Sequence, residues 1–121
     1  MTEKRKYDLE ERLLAFALRI VTLVDELPET KVCGHLGGQL LRAGTSPALN
    51  YGEAQAAESK RDFAHKLQII LKELRETSIC LQLLSRHGNL SDDAIIIEGR
   101  ELIAIFAASV KTTKKTLETA K

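Results

Sequence analysis

Two glutamates three residues apart on a helix share one side of it, and this chain has that spacing twice within helical patterns, in Glu73-x-x-Glu76 and Glu98-x-x-Glu101. Asn50 and Glu53 repeat it inside the stretch AGTSPALNYGEAQAAES, residues 43–59. Carboxylates converging from facing helices are the donors of a dinuclear metal site, but carboxylate-bridged bundles also need a Glu-x-x-His on two of their helices. His35, His65 and His87 are preceded at that distance by Val32, Asp62 and Leu84, so only Asp62-x-x-His65 approaches the motif. No Ser/His/Asp arrangement is visible, and the glycines of GHLGGQL (34–40) do not follow a strand as a phosphate loop would. The expectation is therefore no catalytic residue, no metal, no cofactor and no small-molecule substrate. The same residues instead predict a polar network in which Arg42, Asn50, Glu53, Glu73 and Glu76, with Lys72 and Arg75 beside them, pair between two helices. Charges taken out of water need partners, and such pairing fixes which helices meet and in what register.

The elements that must position these residues are four helical stripes. Leu13, Phe16/Ala17, Ile20, Leu23/Val24 and Leu27 recur at spacings of three and four, which predicts a first helix from Tyr7 or Asp8 to Leu27. Pro28 ends it. A second helix is predicted from Glu29 to about Ala57, with Val32, Leu36, Leu40 and Ala43 as its first stripe. Pro47 removes a backbone bond and crowds the carbonyl of Ala43, so this helix is expected to kink near Gly44–Pro47, or to break there and restart from a Thr45 or Ser46 cap. The third stripe is the most regular: Phe63, Leu67, Ile70, Leu74, Thr77, Leu81 and Leu84, opened by Ser59 as cap with Asp62 in the first turn, and closed at Gly88. A fourth helix is predicted after a Ser91 cap, along Ile95, Leu102, Ile105/Phe106, Val110, Thr113 and Leu117. Connections of a few residues join antiparallel neighbours. The fold expected is a single all-α domain, residues 1–121, an up-down-up-down four-helix bundle with a kinked second helix.

Composition agrees with this. The 121 residues are 44% hydrophobic and 29% charged, with 4% aromatic residues and no Trp, so the core is aliphatic. Cys33 and Cys80 lie far apart within helical patterns and read as buried thiols, not as ligands. The polar start MTEKRKYDLEER is no signal segment, and no apolar run approaches the ~20 residues of a membrane span, so a cytoplasmic protein is expected. The formal net charge of +1 gives no global field for a polyanion. Local clusters remain at Lys4, Arg5 and Lys6 and at Lys111, Lys114, Lys115 and Lys121.

Residues Gln39 to Leu84 resemble the proteins of the 23S ribosomal-RNA intervening-sequence family. The resemblance is carried by QLLR, by Thr45-Ser46 followed by Asn50-Tyr51-x-Glu53-Ala54, by Glu58-Ser59-x-x-Asp62-Phe63, and by Lys72-Glu73-x-x-Glu76-Thr77. Weaker similarity extends through RIVTLVDELPET and IIIEGRELIAIF. Where such family members carry an aromatic pair after Glu-Thr-x, this chain has Ile79 and Cys80. The resemblance implies a four-helix bundle without enzymatic activity that assembles as a homo-oligomer, a pentameric barrel. It also implies kinship in fold with the accessory proteins of diversity-generating retroelements, whose basic barrel associates with RNA and a reverse transcriptase.

Two expectations about function follow. One is a non-enzymatic oligomeric bundle that binds RNA or a ribonucleoprotein partner through basic residues at helix ends: Arg5, Lys6, Arg42, Lys60, Arg61, Lys66, Lys111, Lys114 and Lys115. The other is a purely structural or protein-interaction module with no nucleic-acid role. Leu14, Leu18, Leu41, Ile69, Ile79, Leu83, Ile96, Ile97 and Ile103 lie off the inner stripes. So many apolar residues exceed one monomer's core, which predicts burial between subunits through faces of helices one, three and four.

Overall fold

The computed structural model describes the backbone from residue 2 to 119 and the side chains from Leu9 to Thr119. Four helices follow one another: α1 (Thr2–Asp25), α2 (Lys31–Gln55), α3 (Lys60–Arg86) and α4 (Asp93–Thr119). Each helix packs on the next, and a thinner seam between α1 and α4 closes the bundle. Contacts along neighbouring helices run in opposite senses. Leu27 touches the position of Gly37 and Ile20 that of Gly44, while Glu53 meets Lys66 and Arg42 meets Glu73.

Local chemistry sets the boundaries. Thr30 accepts the Cys33 N–H at 3.1 Å to start α2, and Ser59 accepts the Asp62 N–H at 3.0 Å to start α3, as the capping sequence predicts. Gly88, at φ +88°, turns the chain out of α3 in the left-handed conformation that a terminal glycine permits. The expected Ser91 cap is replaced by its neighbour: Asp92 Oδ1 accepts the Ile95 N–H at 3.2 Å. A carboxylate is the better choice there, because it also meets the positive end of the helix dipole. Proline at position 47 does not divide α2, which is continuous from Lys31 to Gln55, so neither a loop nor a second cap at Thr45 or Ser46 forms.

The core is aliphatic, built on Leu13, Phe16 and Ile20 of α1, Leu40 and Tyr51 of α2, the unbroken α3 stripe from Leu67 to Leu84, and Ile95, Leu102 and Phe106 of α4. Tyr51 and Phe106 meet edge to face, centroids 5.9 Å apart. Both cysteines are buried and free. The α2 stripe starts one residue later than hydrophobicity alone predicts: Val32 is exposed, and the buried line is Cys33, Gly37, Leu40, Ala43/Gly44, Pro47, Tyr51 and Ala54. Glycine is what moves it. A Cβ on Gly44 would lie 2.8 Å from the Ile20 side chain, so α1 can press this close only where α2 has no side chain. On α4 the Phe16 ring packs over Gly99, where an added Cβ would meet it at an ordinary contact distance of 3.5 Å.

Gly44→Ala is accordingly expected to destabilise the bundle by about 1–3 kcal/mol through overpacking. Gly38→Ala, on the open side of the same helix with nothing within 4 Å, is expected to stabilise it by up to about 1 kcal/mol. Denaturant melts of the two variants would test this, and a Gly44→Ala midpoint at or above wild type would contradict it.

Candidate functional site

The predicted network is assembled around Arg42. Its Nη1 donates to Glu73 Oε2 at 3.0 Å and its Nη2 donates to Glu76 Oε2, with a longer bond from Nη2 to Gln39 Oε1 at 3.4 Å. The exposure is lopsided: the Glu73 side chain is 8% accessible and that of Arg42 is 54%. Spacing explains the arrangement. Glu73 and Glu76 flank the α2–α3 seam one turn apart, where one guanidinium fork from the facing helix can reach both. Glu53 joins α2 to α3 through a different partner, Lys66, at 2.8 Å and at the surface.

Asn50 takes no part in the interhelical network. Its Nδ2 donates to the Ser46 carbonyl oxygen at 3.0 Å and to Ser46 Oγ at 2.8 Å, both within α2. An amide four residues beyond a serine finds local acceptors before it can reach across a seam. Lys72 and Arg75 stand exposed on the outer side of α3 and make no ion pair among the described residues.

A second clasp, which residue spacing signalled without naming its partner, closes the α1–α4 seam. Glu98 accepts two bonds from Arg12, to Nε at 3.1 Å and to Nη2 at 2.7 Å, and Glu101 lies 3.6 Å from the same Nη2. Arg19 adds a bond to Asp92 at 2.9 Å, so the residue that caps α4 also ties it to α1. Each Glu-x-x-Glu pair thus closes on one arginine of the neighbouring helix. No three His, Cys, Asp or Glu side chains converge as a metal cluster among the described residues.

Two buried groups have shifted acidities. Burial first, and the Glu76 carboxylate second, push the Cys80 thiol upward against the opposing pull of Arg42, so this cysteine stays a neutral thiol. Burial, and after it Glu10, likewise hold the Tyr51 phenol above its ordinary value, with Gln55 acting the other way.

The basic residues divide into held and free. Arg42 and Lys66 are engaged in ion pairs, unlike the free phosphate ligands that their positions in the sequence suggest. Lys60, Arg61, Lys111, Lys114 and Lys115 are exposed and unpaired among the described residues. Lys60 and Phe63 share a small cavity of about 90 Å³ with Thr113, Thr116 and Leu117, which sets the start of α3 beside the end of α4. Arg86 and Arg100, which the sequence reading passed over, line a shallow cleft at the opposite end of these helices. Arg5 and Lys6 lie outside the residues whose side chains are described.

Fold and seams together place the molecule among the all-α four-helix bundles. Within that class the chain matches the 23S rRNA-intervening sequence protein family over residues 5–106, and it belongs to that family. It is similar to a protein of unknown function from the S23 ribosomal protein family of Bacteroides thetaiotaomicron, known from a crystal structure. The two are 32% identical with a TM-score of 0.78, over 88% of this chain and 97% of that one. No curated protein matches the chain.

The lopsided clasp makes its two halves unequal in a mutational test. Arg42→Ala strands the buried Glu73 carboxylate and is expected to cost on the order of 1–3 kcal/mol, whereas Glu73→Gln leaves an exposed guanidinium still paired with Glu76 and is expected to cost about 1 kcal/mol or less. Equal melting losses would show that Glu73 is solvated.

The weakened acidity of the Tyr51 phenol predicts alkaline sensitivity with a definite sign. The unfolded phenol loses its proton first, so stability present below about pH 10 declines as the pH rises toward the higher folded value. The melting temperature of wild type should therefore fall more steeply between about pH 9 and 11 than that of Tyr51→Phe.

Proposed function

We propose that this chain is a non-enzymatic, cytoplasmic, homo-oligomeric bundle that binds RNA through the basic end formed by the start of α3 and the end of α4. The supporting observation is the placement of Lys60 against Thr113, Thr116 and Leu117, which sets the start of α3, carrying Lys60 and Arg61, at the same end of the bundle as the end of α4, carrying Lys111, Lys114 and Lys115. None of these cations is neutralised by an ion pair among the described residues, so each is available to a phosphate. The net charge of +1 understates what such a cluster presents, because assembly repeats the same end on every subunit. Five-fold assembly, the arrangement implied by the family resemblance, would set five copies around one ring. The family's description as 23S rRNA-intervening sequence proteins is consistent with RNA as the polyanion. No helix among the described residues is long and apolar enough to cross a membrane.

The test is fluorescence anisotropy with a single-stranded RNA at several salt concentrations. Phosphate contacts predict that log affinity falls with log salt at a slope of about −0.7 per contact. Lys114→Glu combined with Lys115→Glu should flatten that slope by about one to two contacts. No binding at about 50 mM salt, or binding indifferent to salt, would overturn RNA recognition and leave a protein-interaction module.

A further inference from the structure

The backbones of α1 and α3 do not approach each other among the described residues, which sets the two helices on opposite corners of the bundle with their outward faces looking away from each other. The outward stripe of α1 runs Glu11, Leu14, Leu18, Thr22, Asp25, at spacings of three and four, and every member is exposed. Leu18 is 67% accessible. The C-terminal half of α3 carries a stripe of the same design and opposite charge: Arg75, Ile79, Leu83, Arg86, again all exposed, with Ile79 at 58%. In each stripe an apolar pair four residues apart is bracketed by two charges. The brackets are acidic on α1 and basic on α3. None of Glu11, Asp25, Arg75 and Arg86 is held in an ion pair among the described residues.

We infer that these two stripes dock on each other between copies of this chain, α1 of one subunit against the C-terminal half of α3 of the next. The inference rests on the oligomeric part of the reading above and adds which surfaces meet. Lengths are compatible. At the helical rise the acidic brackets lie about 21 Å apart and the basic ones about 17 Å, and the long arginine side chains span the difference. Leu14 and Leu18 then cover Ile79 and Leu83, while the brackets oppose unlike charges at both ends of the contact. Such complementarity selects a register and a partner more than it adds raw affinity. The two faces differ and sit on opposite corners, so the contact is heterologous. Every subunit offers one of each, so copies add head to tail, closing into a ring where the rotation between them permits it and running on as an open array where it does not. The contact leaves the other end of α3, with Lys60 and Arg61, outside the interface.

Sedimentation velocity at micromolar concentration tests this with four variants, each checked for wild-type helicity. Arg75→Glu with Arg86→Glu opposes acid to acid, and Glu11→Arg with Asp25→Arg opposes base to base. Either pair is expected to weaken assembly at least about tenfold and to shift mass toward the 13.4 kDa subunit. The quadruple variant restores opposite charges and is expected to reassemble. Leu18→Arg, at a highly exposed site that cannot disturb the core, is expected to dissociate the assembly as well. A wild-type monomer would overturn the oligomeric reading itself. A wild-type oligomer unmoved by both charge reversals, or a quadruple variant that stays dissociated, would overturn this docking alone.

Discussion

One arginine closing on two glutamates a turn apart is the interaction on which the register of the helices depends. It occurs on two seams, Arg42 with Glu73 and Glu76, and Arg12 with Glu98 and Glu101. Ion pairs at a surface contribute little stability, up to about 1 kcal/mol each, and the bundle would fold on its aliphatic core without them. Their effect is on register. A fork that must reach two carboxylates tolerates little sliding of one helix along another, and a buried Glu73 penalises any packing that leaves it alone. The carboxylate pairs are also engaged in the process, as each shares one arginine of the protein itself.

These clasps sort the surface charge as well. Arg12, Arg19 and Arg42, contributed by α1 and α2, lean onto acids of α3 and α4. Among the described residues, what remains unpaired on α1 is acidic, including Glu10, Glu11 and Asp25, and what remains on α3 and α4 is chiefly basic. A chain of nearly neutral composition thereby acquires unlike faces. Net charge could not reveal this, because it sums charges before the fold has decided which of them cancel.

Much of the architecture is legible in the sequence because it depends on periodicity and capping, both local properties. The α3 stripe, the Ser59 cap and the Gly88 terminus need only a dozen neighbouring residues to be read. The errors arise where a partner helix decides. Val32 was placed inside and lies outside, since the close approach of Ile20 selects the line through Gly37 and Gly44, and a glycine adds nothing to a hydrophobic pattern. Asn50 was assigned to the seam and bonds to Ser46 instead, because a short amide takes the acceptor one turn away. The network around Arg42 was recoverable from its glutamates, while the Arg12 clasp was not named. Nothing local to RKYDLEERLL distinguishes an arginine that crosses a seam from one that is solvated.

The apolar residues left over show the same division between local and assembled information. Leu14, Leu18, Leu41, Ile79, Leu83 and Ile97 are exposed as the stripes predict, whereas Ile69, Ile96 and Ile103 tuck partly into the bundle because they border a seam and not the outer face. A helix in a four-helix bundle needs about three positions in seven for its core face. Leu14 and Leu18 exceed that on α1, as Ile79 and Leu83 do on α3. Their alignment at i and i+4 requires only that each helix form. Their consequence requires the bundle, which turns one stripe to each of two opposite corners and removes from both corners any charge of the same helix that an internal partner could take.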